Sequence, residues 1–446
     1  MQLRRRVISL LVTISCLTSI ALTCTPMQAQ IDLPLAHRYF DELKKTSDAE
    51  AGKTWGVALY GPIFFVNPST KEVVANQADP QGVLRPEDGV WTGKLPDNMN
   101  PANSAIDWLG GKWTMVMWPV SDYRQPRERL LLHECFHRFQ ESLGLPARDA
   151  VNSHLDSADG RIWLEMEWRA LERALREPGP ARKGSIADAL LFRAYRRSLF
   201  PDAAVNENHL ELNEGLAEYT GVRASSENTQ ELTFRADRLL RDNASDPSFV
   251  RSFAYTSGPA YGALLDSIGR PWRKEIATAG DFGKLLADAY GVTEIKPGRD
   301  AALAAASRYE GEEVIAQETQ RAKEREEKIA AARKKFISSP ALVLPLSENV
   351  QYSYDPNDVM GIDSLNTVYP TMRLVDAWGI LEVGDGAWIT RGDGGSLIRA
   401  QVPAPQSTTG SPIKGDGWTL TLNDGWKIVP GERQGDFKVG NAAANH

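Results

Sequence analysis

Cysteine is nearly missing from this chain, with three residues in 446. Two of them, Cys16 and Cys24, fall in the N-terminal segment 1–29. A chain that loses this segment keeps Cys135 alone and forms no internal disulfide. Its stability must then come from a buried core, which a chain of this length can supply without covalent staples. Positive charge is not in surplus either: 51 Lys and Arg stand against 58 Asp and Glu, a net charge of −7. That balance favours neither nucleic acid nor an anionic membrane surface as a partner. Apolar runs long enough for a stable membrane span are absent beyond the N-terminal segment. What is present is the composition of a folded protein, with 42% hydrophobic residues and twelve tryptophans.

Residues 1–29 read as a secretory signal. Arg4-Arg5-Arg6 forms the charged start, Val7 to Leu22 the apolar stretch, and Met27-Gln28-Ala29 an imperfect cleavage site. Export to the periplasm or the medium is the expectation, and lipoprotein anchoring at Cys24 is the less favoured variant because Ala21-Leu22-Thr23 suits it poorly.

The expected fold class is α+β. A hairpin is predicted over Trp55–Gln77, with Asn67-Pro68-Ser69-Thr70 as its turn, followed by an irregular Pro/Gly/Asp/Asn-rich passage to about Asn103. WTMVMWPV at 113–120 reads as a strand, placed to pair with an extended peptide. Helices are predicted from about Pro126 to Leu143, Gly160 to Arg176, Ile186 to Phe200, Leu210 to Tyr219 and from near Pro259. Glu310 to Phe336 is charge-laced and reads as an exposed connecting helix. From Ser338 onward, short apolar runs broken by GDG, GDGG and KGDG indicate a small β domain. The resulting organisation is a signal over 1–29, a main domain over 30–309, the connecting helix over 310–337 and the β domain over 338–446. The aspartates beside glycines lack EF-hand spacing and are read as turn residues.

The chemistry concentrates in LLLHECFHRFQ, residues 130–140. Residues i and i+4 of a helix share a face, so His133 and His137 present two imidazoles to one point. Glu134 flanks that face. This is the HExxH arrangement, two zinc ligands with a carboxylate placed to take a proton from an activated water. Cys135 points elsewhere and reads as a small buried apolar residue.

A third ligand is required. Glu214, in LELNEGLAEYTG, opens an apolar helical turn, and Glu218 lies four residues on along the same face. The pair offers one ligand and one carboxylate able to hold the outer nitrogen of a ligating histidine. The cluster HECFH…LNEGLAEY is similar to that of the gluzincin metallopeptidases, the thermolysin and M1 aminopeptidase group. In them HExxH is completed by the glutamate of a downstream Asn-Glu motif. The resemblance implies a gluzincin-like domain and zinc peptidase activity. It implies His133, His137 and Glu214 as zinc ligands, Glu134 as general base and Glu218 as the carboxylate behind a ligand. YTSGPAYGALLD further resembles the aminopeptidase segment whose tyrosine stabilises the transition state. That implies the same role for Tyr255, with Ser257 in place of the family's lysine, and leaves Tyr219 and Tyr261 as weaker candidates.

Two departures bear on the resemblance. No Gly-Ala-Met-Glu-Asn segment is present, so aminopeptidase specificity is unsupported. The separation of His137 from Glu214 is much longer than in the aminopeptidases, and counting the family's spacing from His137 lands on Asp156. Asp156, with His154 beside it, is therefore a rival third ligand, less favoured because it lies in a polar turn. His209 is a further candidate, expected in the loop entering the Glu214 helix, while His37 and His446 read as solvated. With Glu214 as ligand, residues 145–209 form a helical insertion. Its Arg193, Arg196 and Arg197 read as a solvated face, with substrate carboxylates as their alternative partners.

The expected activity is thus hydrolysis of a peptide or protein substrate with zinc as cofactor. Other divalent ions are compatible with such ligands. Two other readings use the same residues: a catalytically inactive binding protein of the cell envelope with a structural zinc, and an envelope structural protein in which HExxH is fortuitous.

Overall fold

Short runs of β-formers, with two-residue turns joining two of the strand pairs, build the first sheet. The computed structural model describes residues 30–441 apart from 97–98, 149, 151, 355–358, 364 and 393–394. The segment read as a signal, with Cys16 and Cys24, lies outside the described residues, as does His446. By internal contacts the chain divides into two units, one ending at Tyr309 and one beginning at Glu310.

The first unit opens with a helix that the sequence reading leaves unassigned, α1 (Leu33–Glu50), capped by Asp32, whose Oδ1 accepts from the Leu35 N–H at 2.9 Å. Six strands follow: β1 (Ile63–Val66), β2 (Glu72–Ala75), β3 (Arg85–Glu87), β4 (Val90–Lys94), β5 (Ser104–Trp108) and β6 (Gly111–Met117), in the order β3-β4-β2-β1-β6-β5. The expected hairpin is β1–β2, with Phe65 opposite Val74. It is shorter than predicted, because Gly56 in the left-handed region (φ 77°) and Gly61-Pro62 keep the Trp55–Pro62 stretch out of the ladder.

The passage expected to be irregular holds two strands, β3 and β4, and a third, β5, begins directly after it. Asp88-Gly89 (φ 46° and 82°) joins β3 to β4, and Leu109-Gly110 (φ 48° and 80°) joins β5 to β6. Both are primed two-residue turns whose twist suits a hairpin. β6 pairs in parallel with β1 and antiparallel with β5, so it is interior. The expectation that 113–120 receives an extended peptide is therefore overturned, since its backbone groups are already used. The sheet edges are β5 and β3.

The rest of the unit is helical: α2 (Arg124–Phe139), α3 (Ala158–Arg176), α4 (Gly179–Leu199), α5 (Ala203–Leu210), α6 (Leu216–Ala224), α7 (Thr229–Asp242), α8 (Ser252–Asp266), α9 (Trp272–Ala279), α10 (Phe282–Tyr290) and α11 (Arg299–Ala306). α2 ends in a 3-10 turn, Gln140–Leu143, stopped by Gly144 at φ 73°. α5 and α6 are joined by a π-helical turn, Glu211–Gly215. α8 begins seven residues before the expected start, with Pro259 inside it. Its proline withholds the N–H that would bond the Tyr255 carbonyl, a loss the buried apolar surroundings of α8 outweigh.

The second unit begins with α12 (Gly311–Arg333), continued by a π-helical turn, Lys334–Ser338. Most of α12 is exposed, but Ala332 and Phe336 pack with Ile362, Val368 and Trp388 of the β region. Two sheets, of seven and five strands among the described residues, share one core. Leu344, Ile389 and Val402 from one meet Leu374, Leu381 and Leu420 from the other. The molecule is thus α+β, with an N-terminal β region, a helical middle and C-terminal β sheets. Among the described residues no helix is long and apolar enough to cross a membrane.

Candidate metal centre

Close helix packing assembles the cluster. At Gly221 of α6 an added Cβ would stand 2.4 Å from the Arg129 carbonyl of α2, and at Gly258 of α8 one would stand 2.2 Å from the Gly215 carbonyl. Absence of side chains at these two points lets three helices meet backbone to backbone. The approach brings His133 and His137, on α2, against Glu214 in the π turn and Glu218 on α6, with Tyr255 of α8 alongside.

His133 Nε2 lies 3.3 Å from His137 Nε2 and 3.3 Å from Glu214 Oε2, and His137 Nε2 lies 3.6 Å from the same oxygen. Three atoms bound to one tetrahedral zinc at its usual bond lengths stand about 3.3–3.5 Å apart. The triangle has that size. The outer ring nitrogens are occupied: His133 Nδ1 pairs with Glu218 Oε2 at 2.9 Å and His137 Nδ1 with Gln140 Oε1 at 2.8 Å. Gln140 donates its amide to Asn213 Oδ1 at 3.2 Å, which leaves its oxygen as the acceptor. Acceptors at both Nδ1 atoms select, for each ring in its neutral form, the tautomer with a lone pair on Nε2, the form a metal needs. An oxygen or nitrogen from each of His133, Glu134 and His137 falls within 4.8 Å of the others.

Electrostatics points the same way. Burial works against an imidazolium at His133, but its bonds to Glu214 and Glu218 outweigh burial and push it up to about 10. Burial likewise raises the Glu134 carboxyl, opposed by the two histidines. Glu214 is held well below the usual carboxylate range, because its contacts with His133 and His137 overcome burial. Three carboxylates around two imidazoles call for a positive charge among them, which a divalent cation would supply. The donor set therefore fits zinc.

Tyr255 stacks on His133, with ring centroids 5.5 Å apart and planes 2° from parallel. Burial and the neighbouring Glu214 carboxylate push its phenol up, so it keeps its proton at neutral pH. Arg251, half-exposed at the start of α8, donates to Glu214 Oε1 at 3.2 Å. Arg129 Nε meets Glu218 Oε1 at 2.9 Å. The sequence reading misses Gln140, Arg251 and Arg129. Helical spacing from His137, Tyr255 and His133 would have marked all three.

The rival candidates are engaged elsewhere. Asp156 accepts from Ser248 Oγ and the Phe249 N–H, both at 2.9 Å, and so anchors the turn before α8. His154 pairs with Glu207 at 2.9 Å, and His209 Nε2 with Arg148 at 3.5 Å. His209 lies within α5, where a loop was expected. His37 faces Asp41 at 3.9 Å. Tyr261 is fully buried and donates to Glu167, while Tyr219 donates to Asp266, both at 2.7 Å. Ser257 is buried and accepts from Trp168 Nε1 at 2.9 Å, a packing role. Cys135 is buried as expected, and burial pushes its thiol up to about 11.

Neither reading of the arginine trio holds. Arg193 and Arg196 are 3% and 0% exposed. Arg196 forks both oxygens of Glu207 at 2.9 Å and reaches Glu167 at 2.6 Å, Arg193 meets Glu211 at 2.8 Å, and Arg197 meets Asp281 at 2.6 Å. Single-sequence reading assigns arginines to solvent because their carboxylates, on α3, α5 and the segment before α10, are distant in the chain. No protein-family model, curated protein or solved structure matches the chain.

Proposed function

We propose that this protein is an exported zinc-dependent metallohydrolase of the gluzincin type, acting on peptide bonds. The observation that carries the reading is the triangle of His133 Nε2, His137 Nε2 and Glu214 Oε2, with edges of 3.3, 3.3 and 3.6 Å. It is supported by the order of its parts, a mixed sheet followed by the histidine helix and then the glutamate helix. Zinc held by those three residues would polarise a carbonyl and lower the pKa of a water toward neutrality.

The chain's own groups take the remaining roles. Glu134, buried and raised in pKa, accepts the water's proton and delivers it to the leaving amine. Tyr255, still protonated at neutral pH, donates to the oxygen on which negative charge develops. Glu218 and Gln140 hold the two imidazoles in register, and Arg251 steadies the second oxygen of Glu214.

The test is hydrolysis of a mixed peptide library by the purified chain, with and without chelator, beside Glu134→Gln. Chelator-sensitive cleavage that the variant lacks while keeping its metal supports the reading. Metal binding without cleavage of any peptide would favour an inactive binding protein, and a folded chain that takes up no zinc would favour a structural one.

A further inference from the structure

His137 is oriented by an amide where His133 is oriented by a carboxylate. A carboxylate only accepts, so Glu218 leaves Nδ1 of His133 one role. Gln140 is different, because its side chain ends in an acceptor and a donor of nearly equal size. With Oε1 toward His137, at 2.8 Å, Nδ1 donates and the neutral ring keeps its lone pair on Nε2. Turned over, the same amide would donate to Nδ1 and drive the proton to Nε2, where a metal binds. Gln140 alone does not distinguish these two arrangements.

The distinction comes from the π turn. Gln140, fully buried, donates through Nε2 to Asn213 Oδ1 at 3.2 Å. Asn213 is buried too, and its own amide has the same two-way character. Its Nδ2 faces Glu214 Oε1 at 3.5 Å, a longer contact that still sets the positive end of the amide toward the carboxylate. Glu214, as a carboxylate, only accepts. Donors and acceptors therefore run one way along the chain: Asn213 donates to Glu214, Gln140 to Asn213, and His137 Nδ1 to Gln140.

We propose that Asn213 is a positioning residue, which transmits the polarity of the Glu214 carboxylate through Gln140 to Nδ1 of His137. One residue of the triangle thereby sets the tautomer of another through two buried amides. This polarity belongs to the metal-free protein, and its consequence for zinc rests on the function proposed above.

The test is nitrogen NMR of the full chain, stripped of metal by chelator and isotope-labelled at histidine, at about pH 8, above the ordinary imidazole range. The shift of each ring nitrogen reports whether it carries a proton, and His137→Gln identifies the His137 signals. Nδ1 of His137 is expected to carry a proton in the wild-type chain. In Asn213→Leu, where Gln140 can turn over, a form with bare Nδ1 is expected beside it. Zinc affinity of this variant, from chelator competition, is expected to fall about tenfold. Adding Gln140→Glu to Asn213→Leu puts an acceptor-only group on Nδ1 and is expected to restore both the proton and the affinity, which repair of packing alone would not do. Circular dichroism checks folding, and if Asn213→Leu does not fold, the wild-type spectrum still decides. A bare Nδ1 in the metal-free wild-type chain would overturn the proposal. So would unchanged Nδ1 signals or unchanged zinc affinity in folded Asn213→Leu, or a folded double variant that does not regain the proton. A protonated Nδ1 in a wild-type chain that takes up no zinc would support the relay and remove the zinc reading instead.

Discussion

Glu218 Oε2 holds Nδ1 of His133 at 2.9 Å, and this bond decides which ring nitrogen is free for a metal. With Nδ1 engaged as a donor, the neutral ring carries its lone pair on Nε2, which faces His137 and Glu214. A carboxylate in this position also makes the imidazole a stronger ligand.

Replacing Glu218 by alanine should therefore weaken zinc binding by about 10- to 100-fold without removing a ligand. Gln140→Ala, which frees His137 Nδ1, should act in the same direction. Competition with a chromophoric chelator measures both. Affinity unchanged in Glu218→Ala would remove the orienting role.

Glu134→Gln should retain zinc and lose hydrolysis by at least about 100-fold, the usual contribution of a general base. Tyr255→Phe should reduce kcat by about 100-fold or more with little change in metal content, as expected for a lost donor to a developing oxyanion. Steady-state kinetics on a cleaved library member, paired with metal analysis, separates the two effects.

The buried arginine network makes a prediction about stability. Arg196→Ala removes the cation that Glu167 and Glu207 share, leaving Arg193 on the first and Arg197 on the second, and removal of one partner of a buried pair costs about 3–5 kcal/mol. Urea unfolding of the metal-free chain measures the loss. A change below about 1 kcal/mol would mean that the network is far wetter than its burial indicates.

The same network sets an acid limit. Asp281 and Glu207 are held below their ordinary carboxylate values, because Arg193 and Arg197 at the first, and Arg196 and Arg197 at the second, outweigh burial. A depressed folded-state pKa contributes stability above the unfolded value, and that contribution is lost as pH falls through the folded value. Melting temperature should therefore drop as pH falls from about 4.5, the unfolded carboxylate range, downward. Asp281→Asn should flatten that drop. An unaltered pH profile in the variant would contradict the assignment.

Much of the site could be read without coordinates, because it is local. His133 and His137 share a helix face at fixed spacing with Glu134 flanking it, and Glu214 and Glu218 lie four residues apart. Asn213-Glu214 was recognisable as a pair, but the π turn that carries it was not, since nothing in ELNEG distinguishes a five-residue turn from an ordinary one. The Leu109-Gly110 turn was missed because leucine is not a residue expected at positive φ, and Asp88-Gly89 because proline and glycine around it signalled irregularity. The arginine trio escaped because burial of charge depends on partners supplied by other helices. The interior position of β6 likewise depends on its partners β1 and β5, not on its own residues.

The central claim is that Glu214, not Asp156, completes a zinc site with His133 and His137. Metal content of the purified chain, measured beside Glu214→Ala and Asp156→Ala, tests it most directly. The account predicts near-stoichiometric zinc in the wild-type chain and in Asp156→Ala, and its loss in Glu214→Ala. Zinc retained in Glu214→Ala and lost in Asp156→Ala, or a folded wild-type chain that takes up no zinc when it is supplied, would contradict it.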